Sequence, residues 1–283
     1  MIIWLASYPK SGNTWIRSFI STLLYSKEGE NDFSHLKQIR QFPDKEYFKD
    51  YVKNSNDVYE IAKNWIVAQT YLNLDQKIKF FKTHHVNCTI DNNPFTNLNN
   101  TIGVIHIVRD PRNVINSIKN HWSLESIDES KKIIFNENNW LGIGINNDDI
   151  KSNDFPTLIS SWKTHYNSWK NKSKNYLLVK YENLIENPLK EFSKVAQYLS
   201  KLTKVNFSKE KIQASIESNS FTKLKKLESK GLFIENAFKR NLNKKINFFN
   251  LGPKNDWKKI LDTNISSEIE IKFNKEMKEL GYL

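Results

Sequence analysis

The stretch from Tyr8 to Trp15 combines residue types that suit the binding of an anion. It reads Tyr-Pro-Lys-Ser-Gly-Asn-Thr-Trp and follows a short apolar run. Lys10 brings a positive charge, and Gly12 lets the main chain approach a ligand closely. If a helix begins here, its first N–H groups and its dipole add to that attraction. Further donors come from the side chains of Ser11, Asn13 and Thr14. A simple helix cap needs neither the lysine before it nor the tryptophan behind it, so the sequence predicts an anion site.

A second group of polar residues follows a longer apolar run. Arg109 closes that run, and Ser117 comes eight residues later. An arginine can bind two phosphate oxygens at once, and a serine hydroxyl can donate to the same group. On its own Arg109 could equally pair with Asp110 or another carboxylate. Arg112 is interpreted as a structural or surface partner.

A third group offers a general base. Lys82, His84 and His85 lie at the end of another apolar run. A histidine has a neutral form available near pH 7, which can accept a proton from a reacting hydroxyl or amine. Neighbouring residues of an extended chain face opposite ways, so we expect one of the two histidines to face the site.

Four apolar runs are predicted to form the strands that place these residues. Helical patterns lie between them, and Pro111 suits a helix start. Strands that alternate with helices predict an α/β domain with a central, mostly parallel sheet, whose ligands bind at the carboxyl ends of the strands. We expect one domain over residues 1–283. The predicted strands are Ile2–Ser7, Ile78–Thr83, Thr101–Val108 and Tyr176–Tyr181. The predicted helices are Thr14–Tyr25, Asp110–Trp122, Phe155–Lys170 and Pro188–Ser200. The polar segment Asn136–Asp154 is expected to be a loop that could act as a lid.

The composition limits the partners and the compartment. The net charge is +12, yet only five of the 43 basic residues are arginine, so most of the excess is interpreted as lysine on a solvated surface rather than a nucleic-acid site. Cys88 is the single cysteine, and no apolar run approaches the roughly 20 residues of a membrane span. No signal peptide is evident. We expect a cytoplasmic protein without a nucleic-acid partner or a membrane span.

Two other classes of protein are alternatives for this sequence. A nucleotide-dependent kinase or NTPase could use the Lys10 loop, but the Walker pattern needs two glycines with the lysine after the second, and this loop has one glycine with the lysine before it. No acidic residue is placed to hold magnesium, so no metal is expected. A nucleotide- or nucleic-acid-binding protein without catalysis is the other alternative, and it predicts binding that weakens steeply with salt.

The stretch Tyr-Pro-Lys-Ser-Gly-x-Thr-Trp after the first strand resembles the 5′-phosphosulfate loop of the sulfotransferases that use 3′-phosphoadenosine-5′-phosphosulfate (PAPS). The resemblance implies a P-loop NTPase-like, three-layer fold. It implies that the donor's 5′-phosphosulfate contacts Lys10, Ser11, Gly12, Asn13 and Thr14, with Trp15 near the adenine. Arg109 and Ser117 would hold the 3′-phosphate. The Lys-Thr-His motif implies that His84 is the catalytic base, with Lys10 and Lys82 stabilising charge.

Weaker matches extend this resemblance towards the C-terminus. Tyr181 and Phe221 match residues that contact the adenine in the family, and Gly252 matches its Arg-Lys-Gly-x-x-Gly-x-Trp pattern. Asn250 and Leu251 stand where the family has Arg-Lys, and Asn255 replaces the second glycine. The candidates to supply the missing positive charge are Lys254, Lys244, Lys245 and Arg240.

The resemblance also implies the reaction and the partners. The sulfuryl group of PAPS would pass to a hydroxyl or amine of a small acceptor by in-line displacement, which leaves 3′,5′-bisphosphoadenosine (PAP) and needs no metal. A loose match to the family's dimer motif, from Lys259 to Glu268, leaves a homodimer open. The acceptor itself would be shaped by the segments Phe33–Tyr51, His85–Asn99 and Asn136–Phe155.

Overall fold

A computed structural model of the chain describes residues 1–142, 155–233, 235, 237–239 and 244–283, with only the backbone for 237–239, 244 and 245. The strands are β1 (Ile2–Ser7), β2 (Arg40–Gln41), β3 (Lys79–Thr83), β4 (Thr89–Ile90), β5 (Asn93–Pro94), β6 (Thr101–Val108), β7 (Trp140–Leu141), β8 (Thr157–Leu158), β9 (Tyr176–Lys180), β10 (Ala237–Lys239) and β11 (Lys244–Ile246).

The α-helices are α1 (Asn13–Tyr25), α2 (Val58–Lys63), α3 (Trp65–Leu72), α4 (Pro111–Trp122), α5 (Ile127–Phe135), α6 (Trp162–Trp169), α7 (Tyr181–Glu186), α8 (Pro188–Thr203), α9 (Lys209–Ser218), α10 (Phe221–Ser229), α11 (Trp257–Ile260), α12 (Thr263–Lys272) and α13 (Asn274–Glu279). Short 3₁₀ turns cover Leu36–Gln38, Lys45–Tyr47 and Gly252–Lys254.

Five strands form one parallel sheet in the order β2-β3-β1-β6-β9. β1 pairs in parallel with β3, with Ile2 opposite Lys79 and Ala6 opposite Thr83. Every residue of β1 is buried, as its unbroken apolar sequence predicts. The α/β fold with a central parallel sheet flanked by helices is therefore confirmed.

The described residues divide into two compact units. The first comprises residues 1–8, 39–106 and 136–178, and it contains the sheet apart from the last two residues of β6 and of β9. Its core surrounds Trp4, whose ring lies 5.4 Å from Phe42, 5.5 Å from Phe95 and 6.0 Å from Trp169. The indole N–H of Trp4 donates to Thr101 Oγ1 at 2.8 Å, so burial of this large side chain leaves no polar atom without a partner.

The second unit comprises residues 9–38, 107–135 and 179–283 and is mainly helical. α4 packs on α5, and α8 packs on α7 and α9. A separate aromatic core joins Phe33, Phe233 and Phe249, with Trp15 and Phe221 packed against it. The expectation of a single domain over 1–283 stays a prediction.

The predicted bounds of β1 and β6 are confirmed, and β3 and β9 each lack one predicted end residue. The predicted helix over Phe155–Lys170 is wrong in its first half, since α6 begins at Trp162. Ser160 adopts a left-handed backbone with φ of 55°, and the Ser161 hydroxyl caps the helix by accepting from the Thr164 N–H. Of the predicted loop Asn136–Asp154, residues 143–154 lie outside the described residues, and β7 lies in the rest.

Candidate active site

Helix α1 begins at the corner after β1, and no described side chain caps its first turn. Gly12 is the N-cap residue, with φ of 101° and no side-chain hydrogen bond. A Cβ on Gly12 would lie 2.6 Å from Cδ2 of Tyr181, so glycine is required both by its backbone angle and by the ring beside it. The Ser11 hydroxyl is buried and has no hydrogen-bond partner among the described residues. A buried donor in this state at a helix start is what an incoming anion would satisfy.

Lys10 occupies the tip of this corner. Its backbone is left-handed, with φ of 64°, and its Nζ lies 3.7 Å from the centre of the Phe248 ring. Asn13 and Thr14 are buried in the first turn of the helix. Lys10 therefore brings its charge to a half-buried position beside the helix start.

Arg109 joins the two predicted phosphate motifs. Its Nη1 donates to the main-chain carbonyl of Lys10 at 3.0 Å and to the hydroxyl of Ser117 at 3.1 Å. The guanidinium also lies over the ring of Tyr181, 4.2 Å from its centre. Arg109 is 5% exposed, so these contacts, and not solvent, hold the guanidinium in its orientation. The carboxylate of Asp110, considered from the sequence as a partner of Arg109, pairs with Arg112 at 2.7 Å.

Aromatic side chains predicted near the adenine contact one another. Trp15 lies edge-on to Tyr181 at 5.8 Å, and its indole N–H donates to the Asn219 carbonyl at 2.7 Å. Burial raises the pKa of Tyr181. Phe221 lies so close to Gly252 that a Cβ there would be 2.2 Å from its ring, and the φ of Gly252 is 54°. The structure thus brings Trp15 and Tyr181 together, and Phe221 and Gly252 together.

The C-terminal segment around Asn250, Leu251 and Asn255, which departs from the family pattern, is held by hydrogen bonds to other parts of the chain. The N–H groups of Phe248 and Phe249 donate to the buried carboxylate of Glu228, at 2.6 and 3.1 Å. Asn255 is buried and its side chain donates to Ser117 Oγ at 3.1 Å, a contact that no local sequence signal predicts. Lys254 is exposed. The other candidates for the missing charge, Lys244, Lys245 and Arg240, lie outside the described side chains.

The two candidate bases have different surroundings. His84 is half-buried, and its Nδ1 lies 2.7 Å from the carbonyl oxygen of Ser7. His85 is fully buried, donates from Nδ1 to the Val86 carbonyl at 2.7 Å and stacks on Phe95 at 4.5 Å. Burial lowers the pKa of His85 to about 4. His85 is therefore a core residue, whereas His84 is bound to the strand end that leads into the Lys10 corner.

His106 and His165 are buried more deeply than Lys82. His106 is buried within β6; burial lowers its pKa to about 3, and Nδ1 lies 2.8 Å from the hydroxyl of Tyr176. Burial also holds the pKa of His165 well below its usual value. Lys82 is half-buried in β3. In the dimer-like motif, Glu268 pairs with Lys131 at 2.8 Å.

Among the described residues, no three side chains of His, Cys, Asp or Glu come together as a metal site. None of the described helices is both long enough and apolar enough to cross a bilayer.

A parallel α/β fold whose first strand leads directly into a helix start is typical of nucleotide-binding proteins. A family model described as the sulfotransferase domain matches residues 2–281. The chain therefore belongs to the sulfotransferase family.

Solved structures support the same fold. Mouse sulfotransferase SULT7A1 complexed with PAP is 19% identical with a TM-score of 0.60, and the match covers 98% of this chain and 84% of that one. Retinol dehydratase in complex with androsterone and inactive cofactor PAP is 16% identical with a TM-score of 0.63, covering 98% and 80%. A complex of retinol dehydratase with retinol and PAP is 16% identical with a TM-score of 0.61, covering 98% and 81%. No match was found among curated protein sequences.

Proposed function

We propose that the chain transfers the sulfuryl group of PAPS to a hydroxyl or amine of a small acceptor. The observation that carries this proposal is the junction at Arg109, which ties the carbonyl of Lys10 to the hydroxyl of Ser117. One guanidinium thereby links a loop suited to a 5′-phosphosulfate with a side chain suited to a ribose phosphate. The PAP complexes of the mouse sulfotransferase and of retinol dehydratase, which share the fold, agree with this assignment.

The residues of the first corner fit the phosphosulfate end of the donor. The buried Ser11 hydroxyl needs an acceptor, and the sulfate and phosphate oxygens are acceptors. Gly12 carries no Cβ, which lets the helix start adopt its left-handed turn directly against the Tyr181 ring. Lys10 adds the positive charge that stabilises negative charge on the bridging oxygen during transfer, with Lys82 proposed as a second cation. PAPS supplies the activated sulfuryl group.

His84 is proposed to remove the acceptor proton. A carbonyl oxygen can only accept a hydrogen bond, so the contact with Ser7 places the proton of the neutral ring on Nδ1. The lone pair then lies on Nε2, the atom that can take a proton from a hydroxyl or amine. As the acceptor oxygen or nitrogen bonds to sulfur, the bond from sulfur to the bridging oxygen breaks. Nε2 receives the proton and PAP leaves.

Calorimetry with PAP, AMP and ATP tests the donor. We expect PAP to bind at least tenfold more tightly than AMP, because a charge-assisted hydrogen bond contributes about 1.5–3 kcal/mol. Equal binding of PAP and AMP would contradict the proposal. Tight ATP binding with magnesium-dependent turnover would favour a kinase or NTPase, and PAP binding without transfer to any acceptor would favour a non-catalytic protein.

His84→Ala tests the base. Turnover with labelled PAPS should fall about 10²–10⁴-fold, since that is the usual contribution of a general base, while the affinity for PAP stays within about threefold. Full activity of the His84 variant would refute the assignment of the base.

A further inference from the structure

The side chain of Asn255 is fixed by three hydrogen bonds. Nδ2 donates to the main-chain carbonyl of Asn113 at 2.8 Å and to the hydroxyl of Ser117 at 3.1 Å. Oδ1 accepts from Nδ2 of Asn116 at 3.0 Å. Asn255 is 7% exposed, so these contacts are its hydrogen-bonding environment within the part of the chain that the structure describes.

These contacts determine the direction of the Asn255 amide. The carbonyl of Asn113 can only accept, so the atom facing it must be the nitrogen. The second hydrogen of that nitrogen then points to Ser117 Oγ. Asn255 is therefore a donor to Ser117 and cannot accept the Ser117 proton through Nδ2.

The Ser117 hydroxyl receives two donors. Arg109 Nη1 lies 3.1 Å from it, and a guanidinium has no acceptor atom. Asn255 Nδ2 is the second donor. A serine oxygen has two lone pairs and one proton, so both lone pairs are occupied and the proton is left to donate. Ser117 is half-buried, and its hydroxyl has no third partner among the described residues.

We propose that Asn255 is a positioning residue that turns the Ser117 hydroxyl into an obligate donor and thereby selects nucleotides with a 3′-phosphate. This inference rests on the proposed function and deepens it. A 3′-phosphate offers only acceptors, which match the proton of Ser117 and the guanidinium of Arg109. A ribose 3′-hydroxyl is a weaker match, because it brings no charge. Asn255 stands in the segment where the sequence has Asn250 and Leu251 in place of two cations.

Asn255→Asp reverses the polarity of this contact. The new carboxylate can only accept, so it would take the Ser117 proton and place a negative charge beside the phosphate. Titration calorimetry of the full chain should show PAP affinity lower by roughly tenfold to a hundredfold, the scale of a hydrogen bond to a charged group. Affinity for AMP should change by less than about threefold, because AMP lacks the 3′-phosphate. Asn206→Asp is the matched control, since Asn206 is exposed between α8 and α9.

A double-mutant cycle separates a positioning role from a general loss of structure. In the Ser117→Ala background, Asn255→Ala should change the ratio of PAP to AMP affinity by less than about twofold, whereas in the wild type it should lower that ratio at least fivefold. Equal effects in both backgrounds would overturn the inference. Thermal unfolding identifies variants that fail to fold, and Asn116→Ala then replaces the Asn255 variants, because it removes one of the three bonds.

The outcomes distinguish this inference from the function on which it rests. With Asn116→Ala we expect the affinity ratio to fall about twofold to fivefold, and an unchanged ratio would count against Asn255 as well. If the wild type prefers PAP and Asn255→Asp keeps that preference, the inference fails alone. If the wild type binds PAP and AMP equally, the proposed function fails and the inference fails with it.

Discussion

The corner after β1 and the corner after β6 both join a buried strand to a helix, yet they satisfy the helix start differently. At the first corner Gly12 supplies no side-chain cap and the Ser11 hydroxyl has no partner among the described residues. At the second corner the Asp110 carboxylate accepts from the Arg112 N–H at 2.9 Å, with Pro111 in the first turn.

The second corner is also closed by a charged network. The Arg112 guanidinium binds Asp110 and Glu270, lies 3.9 Å from the centre of the Trp257 ring and donates to the Tyr282 carbonyl at 2.8 Å. Its helix start therefore has protein partners where the first corner has a buried donor. Position after a parallel strand therefore does not by itself leave a helix start without a cap, because the residues at the corner decide whether its N–H groups find partners within the protein.

Among changes at the two corners, Lys10→Met should give the largest effect, because it removes the charge of the corner after β1 and keeps most of the side-chain length. We expect kcat/KM with PAPS to fall about 10²–10³-fold, the usual cost of one electrostatic group in a transfer reaction. Lys204→Met is the matched control: Lys204 is exposed, with φ of 61° against 64° for Lys10. Similar losses in both variants would show that the backbone, and not the charge, is responsible.

Gly12→Ala tests the shape of the same corner. The added methyl group would lie 2.6 Å from the Tyr181 ring at a φ of 101°, so the main chain must shift. A shift of about 1 Å in a reacting site lowers the rate by about a hundredfold, and we expect a loss of that size in turnover. Gly231→Ala is the control, since its φ is 77° and a Cβ there meets nothing within 4 Å. Activity within threefold of wild type for Gly12→Ala would argue against a tight cradle.

Arg112→Met should affect the closed corner in a different quantity. The change leaves the buried carboxylate of Asp110 without its charged partner, which typically lowers the free energy of unfolding by about 3–5 kcal/mol. Urea denaturation measures this loss, and calorimetry below the unfolding transition should find PAP affinity within about threefold of wild type. A tenfold loss of affinity at unchanged stability would place Arg112 in the nucleotide site and show that the two corners do not differ in this way.

Glu182→Gln should give the smallest effect, because it removes only one buried charge beside the corner after β6. Glu182 accepts from the Asp110 N–H at 3.0 Å, and burial raises the pKa of its carboxyl group. An acid whose pKa is raised on folding stabilises the fold below its unfolded pKa, near 4.5, and loses that contribution as pH rises through the folded pKa. The glutamine side chain can still accept from Asp110 and carries no charge.

The test for Glu182 compares unfolding midpoints in urea between pH 4 and pH 8 for both proteins. The stability of the variant relative to wild type should increase with pH, and at pH 7 it should lie within about 1 kcal/mol of wild type. A deficit above about 2 kcal/mol at pH 7 would show that the charge of Glu182 is needed to hold the corner.

The sequence predicted the strands and corners well because their signals are local. The apolar runs of β1 and β6 are long enough to define both ends, and Pro111 indicates where α4 begins. Helix α6 was harder, because its apolar pattern continues back through Phe155, while the left-handed Ser160 ends that continuity. A positive φ at serine has no reliable signature in a single sequence.

Contacts between distant parts of the sequence were the least predictable. Asn255 lies 138 residues from Ser117, and its hydrogen bond depends on how the C-terminal segment packs on α4. The sequence showed Asn255 as a departure from a glycine and gave no geometry. The preference for His84 over His85 came from the family's Lys-Thr-His motif, and alternation along an extended chain only placed the two rings on opposite sides. The different surroundings of the two rings agree with that preference.

The hydrogen bond from Arg109 to the carbonyl of Lys10 has a consequence for how substitutions combine. This hydrogen bond holds a main-chain turn that has a left-handed lysine at its tip, so the guanidinium supports the turn in addition to its proposed contact with the nucleotide. A shorter side chain at position 109 would let the turn relax, and the ammonium group of Lys10 would then be positioned less precisely. The losses of kcat/KM caused by substitutions at Lys10 and at Arg109 should therefore not be additive, because the two residues act together.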